Sequence, residues 1–126
     1  MPMSMYHASV PVFINFLGNL HTIQEYAAEH FAAQEVDESI ILDARFFPDM
    51  FSYERQVRQA TQHSANCPAT LAGKDTPKLP EDYSSFKGLN ERITAALNFL
   101  EGLDPADFED TADKDFKYKV AGEALD

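Results

Sequence analysis

The chain is short of several things, and each shortage closes off a class of function. Only one of its 126 residues, Cys67, is a cysteine, so neither a disulfide framework nor a cysteine-built zinc site can form within one chain. Lys and Arg total 10 against 21 Asp and Glu, a net charge of −11. So acidic a chain repels a phosphate backbone, and no nucleic-acid partner is expected. No apolar run approaches the ~20 residues needed to cross a bilayer. The opening Met1-Pro2-Met3-Ser4 has no basic region leading into an apolar block, so no membrane role and a cytoplasmic location are expected. There is no Ser-His-Asp order, no phosphate-cradling glycine loop, no nucleophile elbow and no HExxH. Internal repeats and low-complexity blocks are also missing. What remains, 44% hydrophobic and 25% charged residues, is an ordinary globular composition. The length suits one domain, 1–126.

The residues present read mainly as helix. Phe13, Phe16, Leu17, Leu20, Ile23, Tyr26, Ala27 and Phe31 recur at spacings of three and four and trace one helical stripe. Two starts fit this helix: Ser9 as cap with Pro11 in the first turn, or a start near Ser4 with a bend at Pro11. Asp37 is an N-cap for a shorter helix carrying Ile40, Ile41, Ala44 and Phe47, ended or bent by Pro48. Ser52 caps a third helix with Val57, Ala60, Ser64 and Leu71 inward, Pro68 kinking its last turns and Gly73 at its C′ position. Residues 74–83, with two prolines and alternating charge, form a surface connection. Ser84 or Ser85 then caps a helix carrying Phe86, Leu89, Ile93, Ala96, Leu97 and Leu100 as far as Gly102. The predicted helices are thus about 10–33, 37–47, 52–72 and 84–102. Phe116, Tyr118 and Val120 alternate with Lys117 and Lys119 as in a strand, and the chain ends before a partner strand is expected.

The chemistry concentrates in Asp43-Ala44-Arg45-Phe46-Phe47-Pro48-Asp49-Met50-Phe51, which sets charge among aromatics. A charge in apolar surroundings must be paired or used. Arg45 and Asp49, one helical turn apart, allow two readings: an ion pair fixing the bend at Pro48, or a guanidinium offered to a carboxylate or phosphate ligand with Gln56 as a neutral hydrogen-bonding partner. His21, Glu25 and Glu29 share a helical face that is either solvated or cation-binding. Cys67, with no adjoining base to lower its pKa, reads as a small apolar filler.

Ser9-Val10-Pro11-Val12-Phe13, Ala44-Arg45, Pro48-Asp49-Met50-Phe51, Gln56-Val57, Leu71-Ala72-Gly73, Arg92-Ile93 and Phe99-Leu100 together resemble an uncharacterised, domain-of-unknown-function branch of the DinB/YfiT-like superfamily. The resemblance covers nearly the whole chain and implies an all-α, up-and-down helical bundle: three long helices and a short one, with a strand-like C-terminal segment. Branch members usually continue into a final long helix, which this sequence lacks, so truncation or pairing of copies is expected. A two-fold homodimer would cover Phe13, Phe16, Leu20, Ile93, Leu97 and Leu100.

Better-known superfamily members hold a divalent metal with three histidines from two helices and use it in thiol-dependent transfer or isomerisation. Here only His63 lies on the matching helix, and the later ligands would belong to the absent one. No metal or other cofactor is therefore expected, with His63 the one weak candidate ligand. Three functions stay open: a bundle binding a small molecule or another copy of itself, a DinB-like enzyme completed by residues outside this chain, and a partner-binding module whose acidic 104–115 tail meets a basic protein.

Overall fold

The computed structural model describes residues 4–109, 118–120 and 123–125. Four α-helices follow one another: α1 (Met5–Ala33), α2 (Glu38–Leu42), α3 (Tyr53–Leu71) and α4 (Phe86–Glu101). A 3₁₀ turn, Pro105–Phe108, comes next, and then two short strands, β1 (Tyr118–Val120) and β2 (Glu123–Leu125). The fold class is all-α, as the periodicities require.

Each helix begins where a side-chain oxygen satisfies an orphan backbone donor. Ser4 accepts from the His7 amide, Asp37 from Ser39, Ser52 from Arg55 and Ser85 from Gly88. Ser4 rather than Ser9 therefore starts α1, five residues ahead of the expected 10, and Pro11 lies inside the helix. Ser9 instead turns its hydroxyl back onto the Met5 carbonyl at 2.7 Å. Gly73, at φ 70°, closes α3. The Lys74 amide donates to the Ala69 carbonyl at 2.9 Å and the Gly73 amide to Thr70 at 3.2 Å, a Schellman arrangement that needs a residue at ease in the left-handed region.

The short second helix stops earlier than expected. It ends at Leu42, and residues 43–52 run as turns and bends. Its buried residue is Leu42, while Ile40 and Phe47 face solvent. Five residues do not sustain a helix by themselves, so one apolar anchor fixes the element and the chain then leaves it.

The core is assembled around α4, which packs against both α1 and α3. Phe86, Leu89, Ile93, Ala96 and Leu100 are essentially inaccessible, joined by Val10 and Leu17 from α1 and Val57 and Ala65 from α3. The stretch after α4 adds Leu103 and Phe108, whose ring meets Tyr6 edge-on at 5.4 Å. The described part of the acidic tail is therefore folded onto α1; residues 110–117 lie outside the described residues. At the C-terminus β1 does find a partner: β2 pairs with it antiparallel, Val120 opposite Glu123 and Tyr118 opposite Leu125. The expectation of an unpaired strand is thereby corrected: residues 123–125 are enough to serve as its partner.

Candidate functional site

The Asp43–Phe51 segment lies on the surface. Arg45 and Asp49 are both exposed, as are Phe46 (84%), Phe47 (58%), Met50 and Phe51. Among the described residues no ion pair joins Arg45 to Asp49. The guanidinium instead donates to the Met50 carbonyl at 2.5 Å, and the Gln56 side-chain amide donates to the Phe51 carbonyl at 3.0 Å. The ion-pair reading is thus replaced by two side chains bracing one loop's backbone. The reason is local: once the helix stops at Leu42, Arg45 and Asp49 no longer share a helical face.

Between this loop, α2 and the start of α3 is a concavity of about 340 Å³, lined by Ile41, Ala44, Arg45, Phe46, Met50, Tyr53 and Gln56. Two of the three site residues expected from sequence, Arg45 and Gln56, meet there; Asp49 does not line it. The wall is apolar, with a guanidinium, an amide and a phenol as its polar groups, a composition typical of small-molecule sites.

Under this concavity runs a polar chain that the sequence did not announce. Gln24 is fully buried in the α1 stripe. Its carbonyl oxygen accepts from the Tyr53 hydroxyl at 3.1 Å and its amide donates to Asn90 Oδ1 at 2.7 Å. The chain therefore links α3, α1 and α4, and burial pushes the Tyr53 phenol above its ordinary pKa. A buried amide among apolar neighbours must have partners. The only signal in the sequence was a glutamine at a core position of the helical period.

Asn90 opens onto a wider groove of about 910 Å³ between α1 and α4, lined by His21, Glu25, Glu29, Glu38, Lys87 and Glu91 among others. The expected shared face of His21, Glu25 and Glu29 is real. His21 Nδ1 lies 3.6 Å from Glu25, whose side chain is largely in solvent. Glu38 accepts from the Phe86 amide at 3.3 Å, tying α2 to the start of α4.

These features fall within a known family. The family model described as Domain of unknown function (DUF1993) matches residues 5–126. The chain belongs to the DUF1993 family. The fold is similar to that of a crystallised DinB family member protein from Shewanella denitrificans, with a TM-score of 0.82 and 28% identity over 96% of this chain and 70% of that one. Among curated proteins none matches.

The three-histidine metal site of better-known relatives has no counterpart among the described residues of this DUF1993 domain. His63 is exposed on α3, and no three His, Cys, Asp or Glu side chains there converge as a metal requires. The described residues do not fit that group. Cys67 is half-buried, and burial raises its thiol pKa. Among the described residues no helix is long and apolar enough to cross a membrane.

Proposed function

We propose that this DinB-like bundle binds a small, largely apolar molecule carrying one acceptor or anionic group, in the concavity of Arg45, Tyr53 and Gln56. The observation that carries the reading is the exposure of Phe46, Phe47, Met50 and Phe51 beside a concave, mostly apolar wall. Clustered apolar exposure at a concavity marks interaction surface far more often than it marks idle surface. Arg45 has five N–H donors, and the Met50 carbonyl takes one. Arg45 is exposed and lines the concavity, so its remaining N–H groups are open to a ligand.

Titration with 1-anilinonaphthalene-8-sulfonate, an apolar fluorophore with one anionic group, tests this. Saturable binding at one site per chain is expected, weakened by both Arg45→Ala and Phe46→Ala and unchanged by Phe16→Ser on the other exposed apolar surface. Binding indifferent to Arg45 and Phe46 would reject the site.

Self-association is a second reading, favoured by a different surface. The expected dimer face is largely spent within the chain: Ile93 and Leu100 are fully buried, and Phe13, Leu20 and Leu97 pack on the core. Val12, Phe16, Ile23 and Tyr26 of α1 remain exposed, Phe16 at 64% and Tyr26 at 71%. They form a stripe suited to a two-fold pairing of α1 helices. Sedimentation at micromolar concentration should show a dimer that Phe16→Ser dissociates; a monomer throughout would refute the pairing.

A further inference from the structure

Arg92 is the most buried charged side chain described, at 5% exposure. Its Nε donates to Thr61 Oγ1 at 2.7 Å, one terminal nitrogen to the Pro80 carbonyl at 3.1 Å and the Tyr83 hydroxyl at 3.4 Å, and the other to the Arg58 carbonyl at 3.4 Å. All four acceptors are neutral oxygens. Among the described residues no carboxylate lies within ion-pair distance of it. Arg58 adds a second cation, with both guanidiniums over the Tyr83 ring at 4.4 and 5.4 Å. Arg58 has Glu54 at 3.6 Å, an ion pair without a hydrogen bond at its buried Nε, whereas among the described residues no carboxylate lies as near Arg92. A buried guanidinium ordinarily takes a carboxylate or phosphate as counter-ion. At least one of its five N–H groups is left over after the four bonds.

Arg92 also forms part of the wall of a concavity of about 650 Å³ between α3, α4 and the 76–83 connection. Gln62, Asn66, Thr76 and Lys78 contribute amide, hydroxyl and ammonium groups to the same wall. In a chain with net charge −11, an unpaired buried arginine and a lysine sharing one polar concavity is a departure from the average surface. Glu81 is the one acid on the wall and is exposed. Its charge disfavours a dianion more than a monoanion.

We propose that this concavity is a second ligand site, one that takes a small monocarboxylate with hydrogen-bonding substituents. Arg92 supplies the buried cation, Lys78 a mobile one, and Gln62, Asn66 and Thr76 bind the rest of the molecule. The site shares no lining residue with the Arg45 concavity, so the two stand or fall separately. The arginine has a structural task as well. By holding the Pro80 carbonyl and Tyr83 it pins the connection that forms one wall, so a bound carboxylate would tighten that connection.

The test is ¹H–¹⁵N NMR on arginine-labelled full chain, following the Arg92 Nε–H resonance, which its bond to Thr61 protects from exchange. Sodium acetate is titrated against sodium chloride at matched ionic strength. Acetate should produce a saturable shift that chloride does not, weakened about two- to fivefold by Lys78→Gln, the effect of removing one exposed charge contact. Asn66→Asp, which keeps the shape and adds a fixed carboxylate to the wall, should abolish it. An equal response to chloride, a shift surviving Asn66→Asp, or tighter binding of inorganic phosphate than of acetate would each overturn the assignment. Neither variant removes Arg92, so the fold remains intact in every arm.

Discussion

Replacing Gly88 with alanine sets two effects of opposite sign against each other. Gly88 sits in the first turn of α4, where helix propensity favours alanine by up to about 1 kcal/mol. The structure opposes that gain. A Cβ built on Gly88 falls against the Asp82 carbonyl oxygen and lies 2.7 Å from Asp82 Cγ and 2.9 Å from its Cβ. Asp82 has little freedom to withdraw, since its carboxylate accepts from the Ser84 amide at 3.1 Å and the Ser84 hydroxyl at 2.6 Å. The connection would have to shift as backbone, and forced overpacking of that kind costs about 1–3 kcal/mol. The net expectation for Gly88→Ala is a loss of ~0–2 kcal/mol. Gly18, midway along α1, is the control: nothing lies within 4 Å of its built Cβ, and Gly18→Ala should gain ~0.5–1 kcal/mol. Urea unfolding followed by circular dichroism at 222 nm reads both as midpoint shifts at unchanged slope. If Gly88→Ala raises the midpoint as Gly18→Ala does, the close approach of the 82–88 corner is wrong.

Gln24→Leu keeps the volume but strands the Tyr53 hydroxyl and the Asn90 carbonyl oxygen; a loss of about 1–3 kcal/mol in urea unfolding is expected, and no loss would mean the network is idle. Arg45→Ala, at an exposed site with one hydrogen bond to Met50, should cost less than about 1.5 kcal/mol; a larger loss would restore a buried role for the arginine. Burial raises the Cys67 thiol pKa and so depletes its thiolate. Alkylation by iodoacetamide at pH 8 should therefore be slower in folded protein than in urea and should accelerate as pH rises; equal rates in both states would contradict this.

The helices were legible because their signals are local. Period-3.6 spacing located α1, α3 and α4, and Asp37, Ser52 and Ser85 act as caps through side chains that reach only two or three residues along the chain. Misreadings arose where a local pattern had to be completed by something distant. Phe16, Ile23 and Tyr26 fit the apolar stripe but face solvent, while Gln24 between them is fully buried. Periodicity ranks positions by angle around the helix axis, and cannot say which angle α4 will occupy. Arg45 and Asp49 looked paired only on the assumption that helix continues to Pro48.

The sequence by itself determined that this is an acidic, cysteine-poor helical bundle, since charge, cysteine count and periodicity are properties of the chain that no packing can alter. Only the tertiary structure decided where the charged groups stand. It placed Arg92, a signature residue with no assigned role in the sequence, under the connection from α3, and put Arg45 in solvent beside exposed aromatics. The physical reason is that the desolvation and pairing of a charge depend on what lies across from it. Two of the four partners of Arg92, Thr61 and Arg58, are 31 and 34 residues away along the chain.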